Sequence, residues 1–161
     1  RFRGFLQAME DHGLEVPKEY VIQDGECAEK ISRAIGGLLE GDMPPTAVFA
    51  LDGCGTAGGM RCLGERGLIV GEDVGFMGFD DQEIFEQLGF RLSVVERDAL
   101  EQGKETMRLL QERFDEKDGE RRRGKRVMVP CRLILRGSAS MKTVTESARK
   151  RRLAGKKREN N

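Results

Sequence analysis

The sequence predicts an α/β fold built on a mostly parallel sheet. Short apolar runs alternate with amphipathic stretches of ten or more residues, the pattern of strands joined by helices. Two of the runs, residues 47–51 and 74–79, are almost entirely apolar, as strands covered on both faces are. Each is followed at once by acid, Asp52 after the first and Asp80-Asp81 after the second. Open parallel sheets receive ligands at that edge, beyond the carboxyl ends of their strands.

Taken in order, Phe2, Phe5, Leu6, Met9 and Leu14 recur at helical spacing, and Gly13 marks a stop. Tyr20, Val21 and Ile22 predict a short strand. Ile31, Ala34, Ile35, Leu38 and Leu39 form the next helical stripe, closed by Gly41 and Pro44-Pro45. The buried run 47–51 leads into a glycine-rich turn, then a helix with Met60, Cys62 and Leu63 that ends near Gly67. After the run 74–79 come a short helix at Ile84, Phe85 and Leu88, a strand over 92–95, and a long helix over 100–114 with a charged outer face. Residues 119–124 predict a polar turn, and 127–135 a last extended run containing Pro130.

The 161 residues suit one domain, with 38% hydrophobic and 35% charged side chains. Although the net charge is zero, residues 141–161 hold eight Lys or Arg against two acids, a net of +6, which leaves the body at −6. The predicted division is therefore a body over 1–138 and a basic, disordered tail over 139–161. No aromatic interleaves the tail, so a solvated segment is expected there rather than a nucleic-acid arm. Cys27, Cys54, Cys62 and Cys131 form no C-x-x-C pair and His12 lies far from them, so neither zinc nor another cofactor is expected. Reduced, buried or half-buried thiols are the expectation. No apolar run nears the roughly 20 residues that cross a bilayer.

Gly53, Gly55 and Gly58 spell G-x-G-x-x-G after a strand, the spacing of a dinucleotide loop. Asp52 would set its charge against a pyrophosphate, and Asp80 falls 27 residues beyond Gly53 where the fingerprint has its acid about 20 on. Close packing of the helix start, with Asp52 presented to a neutral polar ligand, is the preferred reading. With neither a nucleophile-base pair nor a metal cluster, the chain is not expected to be an enzyme. His12, beside Asp11 at a helix end, is expected to be exposed or to pair with the helix dipole.

Several segments in register resemble the effector-binding domain of the LacI/GalR family of bacterial transcription factors. Arg1-Phe2-Arg3-Gly4-Phe5 is similar to its R-x-x-G-F helix start, and Pro45 to Asp52 to its P-T-A-v-f-a-N-D segment. Glu65 to Val74 resembles e-r-G-l-x-V-P-e-D-v and runs into Gly78-Phe79-Asp80-Asp81, the family's G-F-D-D. Leu92 to Val95 with Asp98 resembles the l-t-t-v-x-x-d crossover, and Val129 to Ser138 the closing v-P-x-x-L-i-x-R-x-S.

The resemblance implies a periplasmic-binding-protein-like fold of type I, here incomplete: the C-terminal lobe plus one helix, 100–114, returning to the other lobe. It implies a small, sugar-like effector in an inter-lobe cleft, with Arg1 and Asp80 on its hydroxyls, bordered by Asp52 and Arg97. It further implies a cytoplasmic homodimer that reaches operator DNA through a domain upstream of Arg1. A transport-type periplasmic sugar receptor is the alternative of the same fold. For Asp80, a second role as N-cap of the short helix near Asp81 is also expected. Leu51 stands where the family has Asn, Gly71 where it has Pro, and Arg97 where a polar amide is common. The loop before Met60 is one residue longer, and no aromatic platform is evident near Gly25-Glu26. The Gly71 change is expected to alter only turn rigidity. Arg97 opens the site to an acidic or modified effector if it faces the cleft.

Overall fold

The computed structural model describes residues 1–23, 27–115 and 124–139. The chain runs α1 (Phe2–Asp11), α2 (Ala28–Glu40), β1 (Ala47–Phe49), α3 (Gly53–Glu65), β2 (Gly75–Phe79), α4 (Glu83–Gln87), β3 (Ser93–Arg97), α5 (Ala99–Phe114) and β4 (Cys131–Ile134). Among the described residues the four strands form one sheet in the order β1-β2-β3-β4. The β1–β2 and β2–β3 pairings are parallel, with Val48 beside Phe76 and Gly78 beside Val94. β4 returns antiparallel along β3, with Leu133 opposite Val95. The predicted α/β class and mostly parallel sheet are therefore present.

The core lies where α2 and α3 pack together on one face of the sheet. Ile31, Ile35 and Leu39 of α2 meet Met60 and Leu63 of α3 over Phe76 and Val94. Strand side chains alternate, so Phe76 and Gly78 face these helices while Met77 and Phe79 face away. The glycines of the G-x-G-x-x-G segment lie within α3 and not in a turn before it. A Cβ on Gly58 would lie 2.7 Å from the Ala28 carbonyl oxygen and from Ile31, and one on Gly59 2.4 Å from the Phe76 ring. Close approach of helix to helix and helix to sheet thus accounts for Gly58 and its neighbour Gly59.

Several expectations give way to tertiary context. Tyr20 closes a 3-10 turn over Lys18–Tyr20, and Val21 is extended without joining the sheet. The first buried run is a three-residue strand with Ala47 exposed, because among the described residues β1 is the sheet's edge and has no second neighbour. The last run is a strand only over Cys131–Ile134. Three of the four thiols are exposed: Cys27 precedes α2, Cys54 lies on the open side of α3 and Cys131 on edge strand β4, while Cys62 alone is buried. All four are free. Gly71 does more than soften a turn. Its φ is 82°, which no proline adopts, and a Cβ there would lie 2.4 Å from the Gly137 carbonyl oxygen. His12 is exposed at the end of α1, with Nδ1 2.8 Å from the Ala8 carbonyl. The polar turn predicted at 119–124 and the tail over 139–161 fall almost wholly outside the described residues.

The closing segment ties the sheet together. Ser138, buried, donates to the Phe76 carbonyl at 2.7 Å and accepts the Ser93 N–H at 2.6 Å. Arg136 forks onto Asp81 with 2.8 and 2.6 Å contacts and reaches the Leu92 carbonyl.

Candidate functional site

The carboxyl ends of β1, β2 and β3 bring together three of the four predicted site residues. Asp80 follows β2 with φ 64°, the left-handed region, which Asp tolerates better than most side chains. Its N–H still donates to the Val95 carbonyl at 2.9 Å, so the ladder with β3 holds the residue while the chain turns. Arg97, closing β3, meets it with a fork: Nε donates to Oδ1 at 2.7 Å and Nη2 to Oδ2. Both side chains keep solvent contact, at 40% and 33% exposure, so the pair sits at a mouth rather than in the core.

Arg1 approaches from the start of α1. Its Nη1 donates to the Leu51 carbonyl at 2.5 Å, and its guanidinium lies 3.8 Å from the centroid of the Phe79 ring. Arg97 borders the same ring at 5.8 Å. A cation on an aromatic face is attracted by the ring quadrupole, so Phe79 seats both arginines beside Asp80. Phe79 is the member of this arrangement that the sequence did not single out. Its signal was the alternation that turns Phe79 away from Phe76 and hence away from the helical core.

The fourth residue, Asp52, does not join the pair. It is the N-cap of α3, where Oδ1 accepts the Gly55 N–H at 2.6 Å. A carboxylate already holds the helix terminus that a pyrophosphate would need, which removes the physical basis for the dinucleotide reading. Nor does Asp80 cap α4: Gln82 occupies that position, without a side-chain cap. The adjacent acids diverge, Asp80 to Arg97 and Asp81 to Arg136.

The electrostatics are those of fixed ions. The hydrogen bond and charge of Arg97 hold the Asp80 carboxyl below its ordinary value of 3.8, and Arg1 adds to that effect through space. Arg136 does the same for Asp81. Burial pushes the Cys62 thiol up, the opposite of an activated nucleophile. Among the described residues no group of three His, Cys, Asp or Glu is placed to hold a metal, and no helix is long and apolar enough to cross a membrane. A cavity of about 460 Å³ elsewhere is lined by Leu63, Leu68, Ile69, Phe90 and Leu92 and includes none of the four predicted residues. What the strand-end arrangement offers is recognition: guanidinium forks that donate and a carboxylate that accepts.

Residues 1–139 match the family described as periplasmic binding protein-like domain. The chain is 30% identical over 138 residues to the HTH-type transcriptional repressor CytR of Escherichia coli, covering 86% of this chain and 40% of that protein. It is 32% identical over 121 residues to the HTH-type transcriptional repressor PurR of Pasteurella multocida, covering 75% and 36%. Among solved structures, a regulatory protein of the LacI family from Chloroflexus aggregans superposes with a TM-score of 0.72 at 27% identity, over 88% of this chain and 50% of that one. The chain thus spans about two fifths of the length of the curated relatives it matches. With the sheet and the sequence match in agreement, the chain belongs to the periplasmic binding protein-like family, as an effector-binding domain of the LacI/GalR type.

Proposed function

We propose that this chain is the ligand-sensing part of a cytoplasmic bacterial transcriptional regulator that binds a small polar, sugar-like effector at the carboxyl ends of β1–β3. The observation that carries this reading is the convergence of Arg1, Asp80 and Arg97 around Phe79. Guanidinium forks donate to vicinal oxygens and a carboxylate accepts from hydroxyls, so together they orient a polyhydroxylated ligand. Asp52 borders the same mouth with an exposed carboxylate while fixing the start of α3.

In this reading the effector bridges two lobes, and its unequal affinity for open and closed arrangements supplies the switching energy. Operator contact belongs to a DNA-binding domain elsewhere in the complete protein, held as a homodimer. The relatives' description as repressors supports a regulator over a transport receptor. The test is Asp80→Ala in the complete regulator. Operator binding is expected to persist while the effector no longer relieves it; full induction by the variant would reject the role given to Asp80.

A further inference from the structure

Gln82 stands two residues beyond Asp80, and its half-buried side chain crosses from the end of β2 to the start of α3. There the amide lies on Gly53. A Cβ at that glycine would fall 2.6 Å from Nε2 and 3.8 Å from Oε1, so any larger residue would push the amide aside. Gly53 directly follows Asp52, which places the amide at the same strand-end mouth as Asp80. No role within the described residues accounts for this placement. Gln82 precedes α4 as its N-cap residue, yet its side chain caps nothing. Its backbone carbonyl accepts the Phe85 N–H at 3.0 Å, whereas the side-chain amide meets no hydrogen-bond partner among the described residues. A half-buried amide is costly to leave unpaired, so water or a ligand must meet it.

The other side chains placed at this mouth are one-sided. Arg1 and Arg97 only donate, and Asp52 and Asp80, as carboxylates, only accept. The Gln82 amide does both, and two neighbouring hydroxyls offer the complementary pair, one accepting and the other donating. We propose that Gln82 is a specificity-determining residue of the effector site: Nε2 donates to one oxygen of a ligand vicinal diol, and Oε1 accepts from the next. Gly53 is glycine because the amide needs that space. The inference rests on the effector-binding reading above and adds to it a contact that neither Asp80 nor Arg97 can make.

The test titrates the complete regulator with D-ribose, D-glucose, D-galactose and sucrose, followed by calorimetry and operator release. The sugar bound most tightly is then compared with its monodeoxy analogues. Gln82→Met keeps the length of the side chain and removes the amide. Its unliganded melting temperature is expected to match the wild type, because no hydrogen bond within the fold is lost, while its affinity for the sugar falls on the order of tenfold. One monodeoxy analogue is expected to lose as much on the wild type and nothing further on Gln82→Met. Gly53→Ala, which displaces the amide, is expected to weaken the sugar likewise, with no added loss in the double variant. Equal sugar affinity in Gln82→Met and wild type overturns the proposal and leaves the effector reading standing. A clearly lower unliganded melting temperature in Gln82→Met makes the amide structural and overturns it as well, and additive losses in the double variant overturn the pairing with Gly53. Release of the wild type from its operator by none of the four sugars rejects the sugar-like effector itself, and this contact with it.

Discussion

At Asp80, backbone and side chain depend on each other. A non-glycine residue at φ 64° gives up roughly 1–2 kcal/mol of backbone preference, less for Asp, and here the β3 ladder and the Arg97 fork hold it there. The motif Gly78-Phe79-Asp80-Asp81 was legible in the sequence, but the partner was not, because Arg97 lies 17 residues on and meets Asp80 only when β2 and β3 pair. Glycines in α3 separate just as sharply by environment. Gly59→Ala puts a Cβ 2.4 Å from Phe76 and is expected to destabilise the fold by about 1–3 kcal/mol in urea titration. Gly64, with nothing within 4 Å of its would-be Cβ, is the counterpart in the same helix. Gly64→Ala is expected to stabilise by roughly 0.5–1 kcal/mol, and equal effects from both would refute the packing account.

Among the elements, α3 depends on Asp52. Removing the cap with Asp52→Ala is expected to cost about 1 kcal/mol, read as a lower melting temperature, since the Gly55 N–H loses its acceptor. No loss would mean that the terminus is satisfied another way. Helix α5 shows the reverse balance. It spans Ala99–Phe114 without a buried residue, and Leu100, Met107, Leu110 and Phe114 are exposed at spacings of seven, three and four. Such a stripe calls for a cover. The 161-residue chain by itself is expected to self-associate, and Met107→Ser with Phe114→Ser to reduce this in sedimentation; an already monomeric wild-type chain would contradict the expectation. The helical period made α5 legible, yet period cannot say what an apolar face meets. Tyr20–Val21–Ile22 misleads for a related reason: Val21 has the extended backbone that its residue type favours, yet it joins no strand among the described residues, and pairing is not a property of residue type.

For the whole molecule, stability hangs on contacts between segments far apart in sequence. Ser138→Ala would leave the Ser93 N–H and the Phe76 carbonyl without their partner, 45 and 62 residues away, at a cost of about 1–3 kcal/mol by denaturant melting. Acid should act through the forks. Asp80 and Asp81 have carboxyls held below the ordinary 3.8, so each contributes stability above that value, lost as pH falls through its lower folded value. The melting temperature is expected to fall below about pH 4, less steeply in Asp80→Asn. An unchanged acid slope in that variant would show that the Arg97 pair carries none of it. Taken alone, the sequence determined the alternation of helices and strands, the acids placed at strand ends and the family, since periodicity and motif spacing are local properties of the chain. Only the tertiary structure decided that the glycine motif lies within α3, that Asp52 caps, and that Arg1 and Arg97 share one aromatic ring beside Asp80, because those outcomes depend on which strands pair and how closely helices approach.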